Sequence, residues 1–269
     1  PIQDLYENDH IKDFYGVHII LSALDKKEYI QTFPGNFIKK FEYNDKNWTI
    51  TKYDLEDEIS AKKFAFQRSV IPQLRKKNYF PSEVYCYYNE KLAYIMSALP
   101  SNIKTLKSKI ETLSLSQLRK YTLNLMEIFK SFKSFEGTFV IIDSSNGFMI
   151  SPEDATKPII SYFDGLHKSG DQFYIGESDW YVKDNYYREK LTVKIVDSLR
   201  CVKITTSDLW TRYAFILWLR YTLNNPREYG RRLSSFLKLL NNHFNAIVNT
   251  VDIEISWDQI RELLNMIGR

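Results

Sequence analysis

Between Thr206 and Leu223 the chain reads TSDLWTRYAFILWLRYTL, apolar on nearly every side of a helical wheel. A helix without a polar face cannot rest on a surface and has to be enclosed by other elements. This stretch therefore predicts a helical body built around a buried pillar. The sequence supplies packing partners for it. Ser114–Phe135 carries Leu115, Leu118, Leu125, Ile128 and Phe132 on one stripe, and Arg231–Val248 and Ser256–Ile267 are further amphipathic helices. The last opens with Ser256 and Gln259, the two residues of a capping box.

The first hundred residues have a different rhythm. Val17–Leu21, Tyr29–Phe33, Phe37–Tyr43, Asn47–Tyr53, Glu83–Tyr88 and Leu92–Ala98 are rich in Ile, Tyr, Phe and Thr and are separated by Gly, Pro, Asn and Asp. They read as strands. One helix is expected among them, Asp57–Ile71, with Pro72 ending it. The change from sheet to helix falls near Pro100-Ser101-Asn102. The fold class is thus α+β, divided as an extension over 1–24, a small sheet-rich lobe over 25–100 and a larger helical lobe over 101–269.

Within the helical lobe lies a strand-like interruption, Phe139 to Gly165. Apolar runs Phe139–Ile142 and Phe148–Ile150 flank the polar Asp143-Ser144-Ser145-Asn146-Gly147, which reads as a small antiparallel ribbon turned by Asn and Gly. A third apolar run, Pro158–Phe163, ends in Asp164-Gly165. Polar residues gathered at the ends of such a ribbon are where a scaffold presents a site.

Composition narrows the function classes. The chain has 269 residues, 19 Tyr, 17 Phe and a net charge of +4. This is globular composition, with no internal repeat. Its basic residues are scattered as Lys39-Lys40, Lys62-Lys63, Arg75-Lys76-Lys77 and Arg231-Arg232, a distribution expected of solvated faces, so nucleic acid is not among the expected partners. The two cysteines, Cys86 and Cys201, sit in apolar runs and read as buried free thiols of a reducing, intracellular (cytoplasmic or nuclear) protein. Neither they nor His10, His18, His167 and His243 have ligand spacing, so no metal site is expected. No apolar run approaches the roughly 20 residues of a membrane span. The chain opens on Pro1, which points to a piece cut from a longer protein.

The order of elements resembles the eukaryotic protein kinase fold over roughly Tyr29 to Ile267. Phe33-Pro34-Gly35-Asn36-Phe37-Ile38 is similar to the glycine-rich strand–turn–strand that covers nucleotide phosphates, with Gly35 kept and side chains at the outer glycine positions. Ile50-Thr51-Lys52 resembles the end of the strand whose Lys contacts the phosphates. Gln67 stands where the family's helix offers a Glu to that Lys, with Glu56 and Glu58 as substitutes in another register. Tyr94-Ile95-Met96 resembles the strand entering the hinge, and Ser97–Pro100 the hinge. With Asn146 as the magnesium-binding Asn, the catalytic base position falls on Ile141, and the metal-binding triplet falls on Ser161-Tyr162-Phe163. Ser207-Asp208-Leu209-Trp210 resembles the motif opening the family's buried helix. Ile159-Ile160-Ser161-Tyr162-Phe163 is also similar to the haspin subgroup.

Phosphoryl transfer rests on positioned charge: magnesium, a Lys–Glu pair and an Asp base. The resemblance keeps Lys52 and Asn146 and loses the rest. It implies a two-lobed pseudokinase, with a vestigial nucleotide pocket at Gly35, Lys52 and Asn146 and degenerate positions at Gln67, Ile141 and Ser161. No cofactor is expected, with ATP, alone or with magnesium, as the ligand to test. Expected partners are proteins, including other domains of a longer chain, docking on the Lys62-Lys63 face, the segment Gly165–Leu199 or the extension Pro1–Leu24. One alternative is a divergent active kinase using Asp143 as base and Asp164 on magnesium to phosphorylate a protein Ser or Thr. Another is an interaction domain unrelated to kinases.

Overall fold

The computed structural model describes residues 3–5, 29–33, 35–88, 90–139, 147–176, 194–196, 201–223, 236, 238–242 and 255–269. They form a mixed α+β protein. Its largest sheet contains β1 (Gln3–Leu5), β2 (Ile30–Phe33), β3 (Asn36–Tyr43), β4 (Lys46–Asp54), β5 (Glu83–Tyr88) and β6 (Leu92–Pro100), in the order β1-β5-β6-β4-β3-β2. All neighbours are antiparallel except β1 and β5. Expected strands and observed strands agree within two residues wherever both are described. The expected strand Val17–Leu21 lies outside the described residues.

Period-two alternation gives the sheet two apolar faces. Tyr53, Val84, Cys86, Ala93 and Ile95 point inward to the main core, where Cys86 is a free thiol. Trp48, Ile50, Tyr85, Tyr87, Tyr94 and Met96 form a second, aromatic cluster on the outward face.

Helix α1 (Glu58–Leu74) packs on the inward face. It is capped by Asp57, whose carboxylate accepts from the Ser60 amide at 2.8 Å. It does not stop at Pro72. Proline forfeits one amide hydrogen bond, but Ile71 and Leu74 are fully buried and the Arg75 amide still reaches the Ile71 carbonyl at 2.9 Å. Packing of the last turn outweighs the lost bond.

Beyond β6 come β7 (Lys104–Thr105), the short α2 (Leu106–Lys109) and α3 (Leu115–Ser131), which continues as a 3₁₀ turn over Phe132–Phe135. Ser114 and Gln117 form a capping box at the start of α3, as Ser256 and Gln259 do for α5 (Trp257–Leu264). The pillar is α4 (Asp208–Leu223), whose Phe215, Ile216, Trp218, Leu219 and Leu223 are buried to within 1 %. Of the expected helix Arg231–Val248, residues 236 and 238–242 are described and are helical.

The expected ribbon pairs differently. β8 (Gly137–Phe139) pairs with β11 (Leu166–Lys168), while β9 (Phe148–Ile150) pairs with β10 (Pro158–Ile160) and β7. The turn of the β9–β10 hairpin is closed by Asp154, which accepts from the Thr156 amide at 2.9 Å and the Thr156 hydroxyl at 2.7 Å. Gly147 serves close packing: a Cβ there would lie 1.9 Å from the Tyr162 ring. Residues 140–146, which include Ile141, Asp143 and Asn146, lie outside the described set. A short sheet of β12 (Gln172–Gly176), β14 (Cys201–Thr205) and β13 (Lys194–Val196) completes the strands.

Candidate functional site

Of the sequence positions expected to form a nucleotide pocket, the described ones, Gly35, Lys52, Gln67 and Ser161, do not converge. Lys52 shares its sheet face with Trp48 and Ile50, and that face is the outward one. Its ammonium lies over the rings of Phe37 at 5.3 Å and Tyr29 at 5.5 Å. The neighbouring residue, Tyr53, is the one that faces α1. A shift of one residue along a strand exchanges the two faces, so a family-like interval alone cannot assign the side. Gly35 takes a left-handed φ of +68°, and a Cβ there would meet the Ser60 hydroxyl at 2.7 Å. The turn at Gly35 is therefore packed against the first turn of α1, not held open above a phosphate.

What the inward face does assemble is a buried polar cluster. Ile59, Lys63, Gln67 and Ile71 follow each other at one-turn intervals on α1 and all are buried. Gln67 accepts a hydrogen bond from the Tyr53 hydroxyl and donates to the Leu166 carbonyl at 3.0 Å. Burial, and then the negative charge of Asp164, hold the Tyr53 phenol well above the ordinary tyrosine range. It stays a neutral donor.

Lys63 forms an ion pair with Asp164 at 2.6 Å, with side chains only 7 % and 4 % exposed. The amide of Asn36 lies beside both, donating to Asp164 at 3.3 Å and within 3.5 Å of the Lys63 ammonium. His167 is next to the cluster. Its Nδ1 must donate to the Gly165 carbonyl at 2.9 Å, since a carbonyl only accepts. Desolvation first and the Lys63 charge second push its pKa down to about 3, against the raising effect of the Gly165 bond. It is a neutral imidazole at physiological pH.

Other expected site residues have structural partners. The Ser161 hydroxyl donates to the Gly147 carbonyl at 3.2 Å. Glu58 pairs with Lys62 on the exposed side of α1, and Glu56 is exposed. The Lys62-Lys63 pair does not make one surface, because Lys63 points into the core. Asp208 accepts from the Trp257 indole at 3.1 Å and pairs with Arg212 at 3.1 Å, which ties α4 to the first residue of α5. Thr211 donates to the Phe139 carbonyl at 3.1 Å and so holds β8.

A cavity of about 400 Å³ opens between the inward side of β3 and β4 and the β9–β10 hairpin, lined among others by Lys40, Glu42, Thr49, Leu99, Met149 and Ser161. Lys63 and Asp164 are not among its walls. Among the described residues no group of three or more His, Cys, Asp and Glu could hold a metal ion, and no helix is long and apolar enough to cross a membrane.

Sequence reasoning does not single out Tyr53, and it meets Lys63 only as half of a surface pair, Asn36 only within the Gly35 turn and His167 only as one of four histidines without ligand spacing. A signal for Lys63 exists: it sits one turn after Ile59 and one before Gln67, on the stripe that the apolar residues assign to the core. No known protein family matches the chain, and no curated protein matches it.

Proposed function

We propose that the chain is a pseudokinase domain: a two-lobed, kinase-like fold that acts inside the cell as a regulatory or scaffolding module, binds protein partners and transfers no phosphate. One observation carries the reading. The carboxylate that follows the Ser161-Tyr162-Phe163 triplet, Asp164, is committed to Lys63 in a buried pair, and Gln67 is committed to Tyr53. Phosphoryl transfer needs a carboxylate free to hold magnesium and an ammonium aimed at the phosphates. Here the carboxylate is neutralised by the chain's own lysine, and Lys52 points to the other side of the sheet. An active kinase using Asp164 would have to break that pair first.

The reading is also supported by the order of elements: strands, one helix, strands, then helices around a buried pillar. The test is a thermal-shift titration with millimolar ATP, with and without magnesium or manganese, followed by a phosphotransfer assay. The expected result is an unchanged Tm under every condition, for wild type and Lys52→Ala alike. A metal-dependent rise in Tm, together with label transfer that is lost in Asp164→Asn, would overturn the proposal in favour of an active kinase.

A further inference from the structure

The outward side of the large sheet carries a pattern that the linear sequence hides. Along β3 the outward residues are Phe37, Lys39, Phe41 and Tyr43, each about 7 Å from the next. Opposite them on β4 stand Lys52, Ile50, Trp48 and Lys46. Phe37, Lys39, Phe41 and Lys52 are half-buried, and Tyr43 is 41 % exposed. Trp48 stacks between Phe41 and Tyr85 at 6.4 and 6.0 Å, and the Lys39 ammonium lies over the Phe41 ring at 5.9 Å.

Among the described residues the charges on this side do not cancel. Lys39 and Lys52 both lie over the Tyr29 ring, at 5.7 and 5.5 Å. Among the described residues neither ammonium has an ion-pair partner, while Lys46 is neutralised by Glu83 and the Asp54 carboxylate accepts from the Glu56 amide at 2.9 Å. Glu42 points to the inward side and lines the cavity. Two ammonium groups thus share one aromatic ring, each within 6 Å of its centroid, and both remain available to an anion.

We propose that this face binds single-stranded nucleic acid, with Lys39 and Lys52 on the phosphates and Phe41 and Tyr43 stacking the bases. Rings and cations that alternate at strand spacing fit a chain whose own repeat alternates an aromatic base with a phosphate. A phosphorylated peptide would use the two lysines but leave the row of rings without a role. The proposal concerns the sheet face opposite the polar cluster and does not depend on the pseudokinase reading.

The experiment is fluorescence anisotropy of labelled 12-nucleotide oligo-uridine and oligo-thymidine with the whole chain, at 50 and 200 mM salt. The expected Kd at 50 mM is about 10 µM or tighter. Lys39→Ala and Lys52→Ala should each flatten the slope of log affinity against log salt by about 0.7. Tyr43→Ala should weaken binding at least about fivefold with the slope unchanged. Lys39→Arg should restore binding, and Lys107→Glu, an exposed position on α2, should leave it as in wild type. Melting temperatures equal to wild type certify the folding of the Lys39 and Tyr43 variants. Absence of binding at about 200 µM protein overturns the proposal. Equal loss in Lys107→Glu, or binding of a phosphopeptide through the same lysines with no oligonucleotide bound, also overturns it.

Discussion

The Lys63–Asp164 pair shows what burial does to two opposite charges. Taking both out of water costs several kcal/mol per ion, which the mutual attraction offsets only while both are present. Lys63→Met leaves a carboxylate buried with one long amide hydrogen bond from Asn36. The expected loss is about 3–5 kcal/mol in urea unfolding. The double variant Lys63→Met/Asp164→Leu should recover most of it, since an apolar pair of similar size avoids both desolvation terms. If the double variant is as unstable as the sum of the singles, the pair is not the unit described. His167 adds a pH dependence of defined sign. An unfolded imidazole titrates near 6.5, and the folded one is pushed down to about 3. Its contribution to stability is complete above pH 6.5 and is lost as pH falls toward 3, at up to about 1.4 kcal/mol per pH unit. Comparing urea midpoints of wild type and His167→Gln from pH 7 to 4 isolates this effect, because the carboxylates are common to both. Parallel curves would mean that His167 is hydrated.

At the scale of elements, periodicity decides what is legible in the sequence. Strands β3 to β6 and helices α1, α4 and α5 emerge from alternation, helical stripes and caps, because those patterns are dictated by which side of an element meets the core. Strand pairing does not emerge. Phe139 and Phe148 are both buried and lie near each other in sequence, yet β8 and β9 take different partners. Adjacency favours a hairpin across residues 140–146, whereas the β9–β10 hairpin has the better turn in Asp154 and Thr156. The faces of β4 are also ambiguous. Trp48 and Ile50 signal an apolar side, but the sheet has two apolar sides, and theirs is the one away from the helix. Thr49, Thr51 and Tyr53 look less apolar and nevertheless face inward, Tyr53 because Gln67 satisfies its hydroxyl. Polar side chains buried in pairs are invisible to a hydrophobic pattern. This is why Lys63 and Asp164 read as a surface lysine and a turn residue.

For the whole molecule, the question is whether the sheet and the helical region form a single unit. A single core runs through both, from Val84 and Ile95 through Phe80, Phe132 and Phe163 to Phe215, Trp218 and Ile260. Phe80 stacks on Phe163 at 4.9 Å, so the loop before β5 and the loop after β10 share one contact. Helix α1 lies across the join. Gln67 links Tyr53 of the sheet to the Leu166 carbonyl of β11, and Tyr174 of β12 reaches the Asp57 cap at 3.4 Å. A core shared in this way is expected to unfold as one cooperative unit. Urea transitions followed by far-ultraviolet circular dichroism, which reports mainly the helices, and by tryptophan fluorescence, which includes Trp48 of the sheet, are expected to coincide. Gln67→Leu removes one partner of the Tyr53 hydroxyl and the side-chain donor to the Leu166 carbonyl, each at about 1–3 kcal/mol. That variant should move both transitions down together by about 2–6 kcal/mol. Separate transitions in wild type would make the sheet and the helical region independent domains. Separation that arises only in Gln67→Leu would instead identify this one amide as the bond on which their coupling depends.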